Sequence, residues 1–95
     1  MKYVGFWKFD SEALDVIVEK SVRSSRERDV FPEKYPEIIC GPFILDGESR
    51  GFTVYDVDDL EQLTNVTAHY GPEMTYEFKP IVETSKYAEF HLRKG

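Results

Sequence analysis

The stretch FTVYDVDDLEQLTNVTAHYGPEMTYEFKP, residues 52–80, changes its hydrophobic period twice. Residues 52–57 are rich in aromatic and β-branched side chains, which is typical of a strand. Residues 74–78 again alternate apolar with polar side chains in a strand that ends near Pro80. Between the two strands, helical spacing places on one side Leu60, Leu63, Val66, Thr67 and Tyr70. The stretch therefore predicts a β-α-β unit.

The ends of the middle helix carry their own signals. Asp58, followed three residues later by Glu61, resembles the capping box that opens many helices. Gly71-Pro72 stops the helix, because glycine favours the position after a helix and proline cannot continue one. We therefore expect the helix to lie between these two points.

The first half of the chain predicts a second β-α-β unit. Residues 2–9 form a strand, and Asp10 or Ser11 caps a helix that fades near Arg28. Its apolar side is formed by Leu14, Ile17, Val18 and Val22. Residues 38–45 form a strand interrupted by Gly41-Pro42. Proline has no N–H for a central ladder, so we expect an edge position, a bulge or a kink there.

These elements make one α+β domain over residues 1–95, in the order β-α-β-β-α-β. We expect an antiparallel four-stranded sheet with two helices on one face. Residues 46–51 form a hairpin turn between the middle strands. Residues 81–90 extend the last strand, form a short helix or form a final strand, and residues 92–95 are expected to fray.

The strands indicate that both faces of the sheet are apolar. Val4 and Phe6 point to one side of the first strand, whereas Tyr3, Trp7 and Phe9 point to the other. Only the last strand alternates as a sheet with one solvated face should. Because a large exposed apolar patch is unfavourable in a monomer, we expect the helix-free face to pair with a second copy in a homodimer.

Composition limits the partners. The formal net charge is −6, so the chain should repel nucleic-acid phosphates and anionic lipid. No stretch is apolar enough to span a membrane, and residues 1–10 are too short for a signal peptide. The single cysteine, Cys40, cannot form an intrachain disulfide, which suits the cytoplasm. Its apolar surroundings in the sequence predict a small buried side chain.

Several short motifs resemble one protein family. They are Arg50-Gly51-Phe52, Val57-Asp58-Asp59 before Leu60, and Tyr76-Glu77-Phe78-Lys79-Pro80-Ile81-Val82-Glu83. In the first half, Tyr3, Trp7 and Phe9 lie where the family has its opening strand. The chain thus resembles a family of short uncharacterised prokaryotic proteins with a dimeric α+β-barrel version of the ferredoxin-like fold. The resemblance implies that fold and a homodimer. In the wider superfamily it implies cofactor-independent monooxygenases, isomerases, haem-degrading proteins and binding domains.

Few residues are candidates for catalysis or metal binding. His69 lies beside the apolar side of the second predicted helix and would need a partner such as Tyr55 or Glu73 to act as a general base. Asp56, Asp58 and Asp59 offer carboxylates for a cation, but they also suit the positive end of that helix. His69, His91 and Cys40 share no ligand spacing. We therefore expect no metal and no cofactor, haem included.

The aromatic side chains Trp7, Phe9, Tyr55 and Tyr76 are the best candidates for ligand binding. Aromatic side chains with a polar end line ligand pockets well, although they also suit a core or a dimer interface. Our first hypothesis is a homodimeric small-ligand-binding or accessory domain. The second is a cofactor-independent monooxygenase or isomerase acting on a small aromatic or quinone-like compound. The third is an acidic surface around the second helix that docks a basic protein.

Overall fold

The computed structural model describes residues 1–94 as one sheet with three helices. The elements are β1 (Lys2–Phe9), α1 (Leu14–Val30), β2 (Glu37–Ile44), β3 (Arg50–Asp56), α2 (Glu61–Tyr70), β4 (Met74–Pro80) and α3 (Thr84–Lys94). Short 3-10 turns, Ser11–Ala13 and Pro32–Lys34, precede and follow α1. None of the helices in residues 1–94 has the length and apolar character needed to cross a membrane.

The four strands lie in the order β2-β3-β1-β4, and each pairs with its neighbour in the antiparallel sense. Consequently β1 and β2 are parallel with β3 between them, and β3 and β4 are parallel with β1 between them. The predicted α+β class and the antiparallel four-stranded sheet are confirmed. The bounds of β4 also match the prediction, because its side chains alternate along its whole length.

Strand β2 lies at the edge of the sheet, as its proline predicts. Its register against β3 shifts between Ile38 and Cys40 and again between Cys40 and Phe43. The first shift places Cys40 opposite Val54, on the face without helices, where it is exposed. The prediction of a buried Cys40 is therefore wrong, because the bulge breaks the alternation of the strand.

Helices α1 and α2 cover the same face of the sheet. Ile17 of α1 packs with Trp7 and Met74. Leu63 of α2 packs with Tyr55 and Val57. The core therefore lies between this face and the two helices. The opposite, helix-free face carries Val4, Phe6, Cys40, Phe43, Phe52 and Val54.

The start of α2 differs from the prediction by one residue. Asp59, not Asp58, accepts a hydrogen bond from the Glu61 amide through Oδ1 at 2.9 Å. The side chain of Gln62 reaches back and accepts from the amide of Asp58 at 3.0 Å. Gln62 Oε1 also lies 3.4 Å from the Asp59 amide. The start of α2 therefore resembles a capping box in which Asp59 accepts from Glu61 and Gln62 accepts from the two preceding amides.

Helix α1 is longer than predicted and less apolar where it meets the sheet. It continues to Val30, and its buried side chains are Ile17 and Ser24. Val18 and Val22 of the predicted apolar side remain 55% and 51% exposed. Asp10, as predicted, caps the preceding turn by accepting from the Glu12 amide.

The ambiguous segment after β4 is helical. Helix α3 starts at Thr84 and includes the residues for which a strand or a short helix was considered. It continues through the expected frayed tail to Lys94, and Gly95 lies outside the described residues. Its side chains from Thr84 to Arg93 are exposed, with Tyr87 at 69%. An ion pair between Arg93 and Glu89, one turn apart, stabilises it.

Candidate functional site

A cavity of about 370 Å³ lies between α1 and the sheet. This volume falls at the lower end of the range of ligand pockets, about 300–1,000 Å³. The four aromatic residues singled out from the sequence all line it: Trp7, Phe9, Tyr55 and Tyr76. We call this set the aromatic floor. The exposed mouth runs between Val18 of α1 and Ile44 of β2.

Strand register brings the aromatic floor together. Trp7 lies opposite Tyr76 on β4 and opposite Gly51 on β3, so all three positions face the helices. A Cβ atom at Gly51 would lie 2.6 Å from the Trp7 ring and 2.0 Å from the Phe43 carbonyl oxygen. The glycine is therefore required for the indole to lie flat across β3.

The indole N–H of Trp7 forms a hydrogen bond inside the protein. Trp7 Nε1 donates a hydrogen bond to the hydroxyl of Thr53 at 3.1 Å, and both side chains are buried. Phe9 stacks beside the indole with ring centroids 6.1 Å apart. The indole therefore contributes an apolar surface to the cavity, and its N–H is already satisfied.

The tyrosines of the floor supply hydroxyl groups. Burial raises the pKa of Tyr55 above its ordinary value. Burial also raises the pKa of Tyr76, and the nearby Tyr55 adds to that effect. Both phenols are therefore neutral at physiological pH, where they act as hydrogen-bond donors and acceptors but not as bases.

The roof of the cavity is one side of α1, which carries small polar residues beyond Ile17. Ser21, Ser24 and Ser25 line the cavity, followed one turn later by Arg28. Their hydroxymethyl groups are too short to fill the space above the aromatic floor. Our sequence reasoning missed these residues, although their spacing continues the side that begins at Leu14 and Ile17.

Arg28 is half-buried, and it is the one charged residue among those lining the cavity. Its Nη1 donates to the carbonyl oxygen of Pro36 at 2.6 Å. Its guanidinium lies over the Tyr35 ring, 5.4 Å from the centroid. These two contacts fix the position of the guanidinium at one end of the cavity.

His69 lies outside the cavity, between α2 and α1. Its Nε2 is 2.7 Å from the carbonyl oxygen of Lys20, which can only accept, so Nε2 carries the proton. Glu73, one of the partners considered for it, instead binds Lys20 Nζ at 2.6 Å. The ring also contacts Tyr70 edge-on. His69 thus links α2 to α1 through a hydrogen bond.

The acidic residues from the end of β3 to the start of α2 have local contacts. Asp56 pairs with the amino terminus at 3.3 Å, and Asp59 caps α2. His91 is exposed on α3. Within residues 1–94, no group of three or more His, Cys, Asp or Glu side chains is arranged to hold a metal ion.

Comparison with known proteins places the chain in a protein family. The sequence profile of a family described as a domain of unknown function, DUF3303, matches residues 1–95. No curated protein matches the chain. The description of the family names no ligand, reaction or partner.

Proposed function

The chain belongs to the DUF3303 family, and we propose that it is a homodimeric domain that binds a small planar organic molecule in the cavity between α1 and the sheet. The observation that carries this proposal is the aromatic floor. Trp7, Phe9, Tyr55 and Tyr76 come from three strands and line one cavity. Their rings offer flat apolar surfaces, and the two phenols offer hydrogen bonds that orient a ligand.

The proposal includes a ferredoxin-like fold that forms a dimeric α+β barrel. The strand order supports it. Strand β3 lies between the parallel strands of the β1-α1-β2 unit, and β1 lies between the parallel strands of the β3-α2-β4 unit, which is the split β-α-β arrangement of that fold. In such a barrel the sheets of two copies meet through their helix-free faces. The cavity described here lies on the opposite side, so each copy would keep its own ligand site.

The helix-free face supports self-association through its exposed rings. Phe6 and Phe43 are 47% and 52% exposed, and Phe43 contacts Phe52 with ring centroids 5.6 Å apart. Clusters of exposed aromatic side chains on one face mark association sites. A second copy is the partner that a two-fold axis supplies without a further protein.

Titration with 2-naphthamide, a neutral planar probe, tests the proposed ligand site. Isothermal titration calorimetry measures the affinity, and the indole N–H resonance of Trp7, the one tryptophan of the chain, reports the place of binding. We expect saturable binding that shifts this resonance. A titration with no heat and no shift would overturn the ligand-binding proposal.

A cavity-filling variant sharpens this test. Ser24 is buried on the roof, and Ser24→Leu would place a larger side chain above the aromatic floor. We expect it to abolish probe binding while the protein remains folded by circular dichroism. Ser85→Leu makes the same chemical change on exposed α3 and should leave binding unchanged.

A cofactor-independent monooxygenase or isomerase is the second candidate. It draws on the same aromatic floor, with the protonated phenols of Tyr55 and Tyr76 as hydrogen-bond donors to a substrate carbonyl. His69, the base considered for it, binds the Lys20 carbonyl away from the cavity. Incubation of a hydroquinone, which can itself supply the two electrons that reduce the second oxygen atom of O2 to water, with the protein under air tests it. Liquid chromatography with mass spectrometry detects an oxidised or an isomerised product, and recovery of the unchanged compound alone would overturn this candidate.

A further inference from the structure

We propose that the ligand of this cavity carries a carboxylate and that Arg28 binds it. The inference rests on the proposed ligand-binding function and deepens it by naming the ligand class: an apolar, planar body with one acidic group at its end. The body would lie on the aromatic floor, and the carboxylate would lie at the end of the roof.

The position of Arg28 on α1 brings its charge to the cavity. It follows Leu14 by fourteen residues, which is about four helical turns, so both residues share the side that faces the sheet. Burial raises the pKa of Tyr55 and Tyr76, and the positive charge of Arg28 offsets part of that rise. The guanidinium is therefore near enough to act on groups inside the cavity.

The charge of Arg28 has no carboxylate to balance it within residues 1–94. No acidic residue lines the cavity, and no ion pair joins Arg28 to Asp or Glu among the described residues. The adjacent Glu27 instead accepts from the hydroxyl of Tyr35 and pairs with Lys34. Lys20, the other half-buried cation of α1, has its partner in Glu73.

An unbalanced, half-buried cation in a chain of net charge −6 is unusual, because acidic partners are abundant. Desolvation of such a cation is unfavourable unless an anion offsets it. A carboxylate on the ligand would offset it in the bound state. The negative net charge of the protein would also disfavour anion binding elsewhere on its surface, so a carboxylate would bind selectively beside Arg28.

The guanidinium is held in place before a ligand arrives. The bond from Nη1 to the Pro36 carbonyl and the cation–π contact with the Tyr35 ring restrain its position. A planar guanidinium binds carboxylate oxygens through two parallel N–H groups, and a fixed one loses little side-chain entropy on binding. Ser25 and Ser21, about one and two turns earlier on the same side, add hydroxyl groups near the path of the ligand.

Paired probes that differ in charge test the inference. Calorimetry compares 2-naphthoate with 2-naphthamide, which has the same ring system without the charge. We expect the wild-type protein to bind the carboxylate roughly tenfold more tightly, the gain expected of one charge-assisted hydrogen-bonded pair. Arg28→Gln should remove this preference and leave the affinity for the amide within about twofold. Arg26→Gln removes the same charge from the exposed side of α1 and should keep the preference.

The outcomes separate the two proposals. Equal affinity of the wild-type protein for both probes would overturn the carboxylate inference and leave the ligand-binding function in place. Binding of neither probe would overturn both. A preference that persists in Arg28→Gln would assign the carboxylate to another group. If Arg28→Gln fails to fold, Arg28→Lys takes its place. It should retain a weaker preference, because it keeps the charge but loses the planar fork, and an undiminished preference would overturn the assignment to Arg28.

Discussion

The indole of Trp7 donates its N–H to the hydroxyl of Thr53, 3.1 Å away on the neighbouring strand, and both side chains are buried. The bond holds the largest ring of the aromatic floor flat against β3. It also satisfies a polar atom that would otherwise lie at the base of an apolar cavity. Its loss should therefore affect both the stability and the shape of the site.

Thr53→Val should lower the free energy of unfolding by about 1–3 kcal/mol, because it leaves the buried indole N–H without an acceptor. Urea unfolding followed by circular dichroism measures the change. Thr75→Val, at an exposed position of β4, is the matched control and should have little effect. The substitution should cost much less in a Trp7→Phe background, where no N–H remains; an equal cost in both backgrounds would contradict the proposed role of the bond.

Gly51→Ala should destabilise the protein more than Gly5→Ala. An added Cβ at Gly51 meets the Phe43 backbone oxygen at 2.0 Å, and backbone in a paired strand cannot yield easily. At Gly5 the nearest atoms, at 2.9 Å or more, belong to the rings of Phe78 and Tyr55. Overpacking of a core costs about 1–3 kcal/mol, and we expect Gly51→Ala to reach or exceed that range in urea unfolding. The reverse ranking would refute this account.

The parts of the fold that could be predicted are the elements in which apolar and polar side chains repeat at an uninterrupted period. Strand β4 alternates from Met74 to Phe78, so its bounds followed directly from the sequence. Strand β2 does not, because its bulge changes which face each side chain occupies, and Cys40, which its apolar neighbours in the sequence predicted to be buried, is exposed. Strand pattern alone gives no means of counting the residues in a bulge.

One side of the candidate site, the aromatic floor, could be predicted from the sequence, and the other side could not. The aromatic floor was visible because large aromatic residues stand out in strands. The roof was not, since Ser21, Ser24 and Ser25 carry no hydrophobic signal and a small residue on a packed helix face looks like a solvated one. Arg28 suits the negative end of the helix dipole, which accounts for a cation at that end of α1 but not for the direction of its side chain. Helical spacing from Leu14 was the signal that could have identified them.

Stability should fall at alkaline pH through Tyr35. Burial raises the pKa of Tyr35 to about 12, and its hydrogen bond to Glu27 adds to the rise. In the unfolded chain a tyrosine loses its proton near pH 10. The folded state therefore retains the proton more tightly, and this contribution is fully present below pH 10 and is lost as the pH rises toward 12. The loss should be at most about 2.7 kcal/mol, because each pKa unit corresponds to about 1.4 kcal/mol.

Urea unfolding between pH 8 and pH 11.5 measures this loss. Tyr35→Phe should make the alkaline decline shallower without abolishing it, because the pKa of buried Tyr55 and Tyr76 is raised in the same direction. Tyr87→Phe alters an exposed tyrosine of α3 and should leave the decline as it is in the wild type. An unchanged slope in Tyr35→Phe would show that its environment does not hold the proton.

Phe6→Lys should convert the proposed dimer into a folded monomer. Phe6 is exposed near the centre of the helix-free face, where a second copy would bury it. It lies opposite Glu77 across β1 and β4, so a lysine there gains an ion-pair partner within its own sheet. The isolated subunit should therefore tolerate the change, while the interface would have to bury a charge.

Light scattering at micromolar concentration should give twice the mass of one chain for the wild type and a single mass for Phe6→Lys. Tyr87→Lys places the same charge at an exposed aromatic residue away from the sheet, and this control should remain dimeric. A monomeric wild type would refute the dimer. A dimeric Phe6→Lys would place the interface on another surface, because a lysine ammonium at the centre of a dry sheet-to-sheet contact would cost more than the contact supplies.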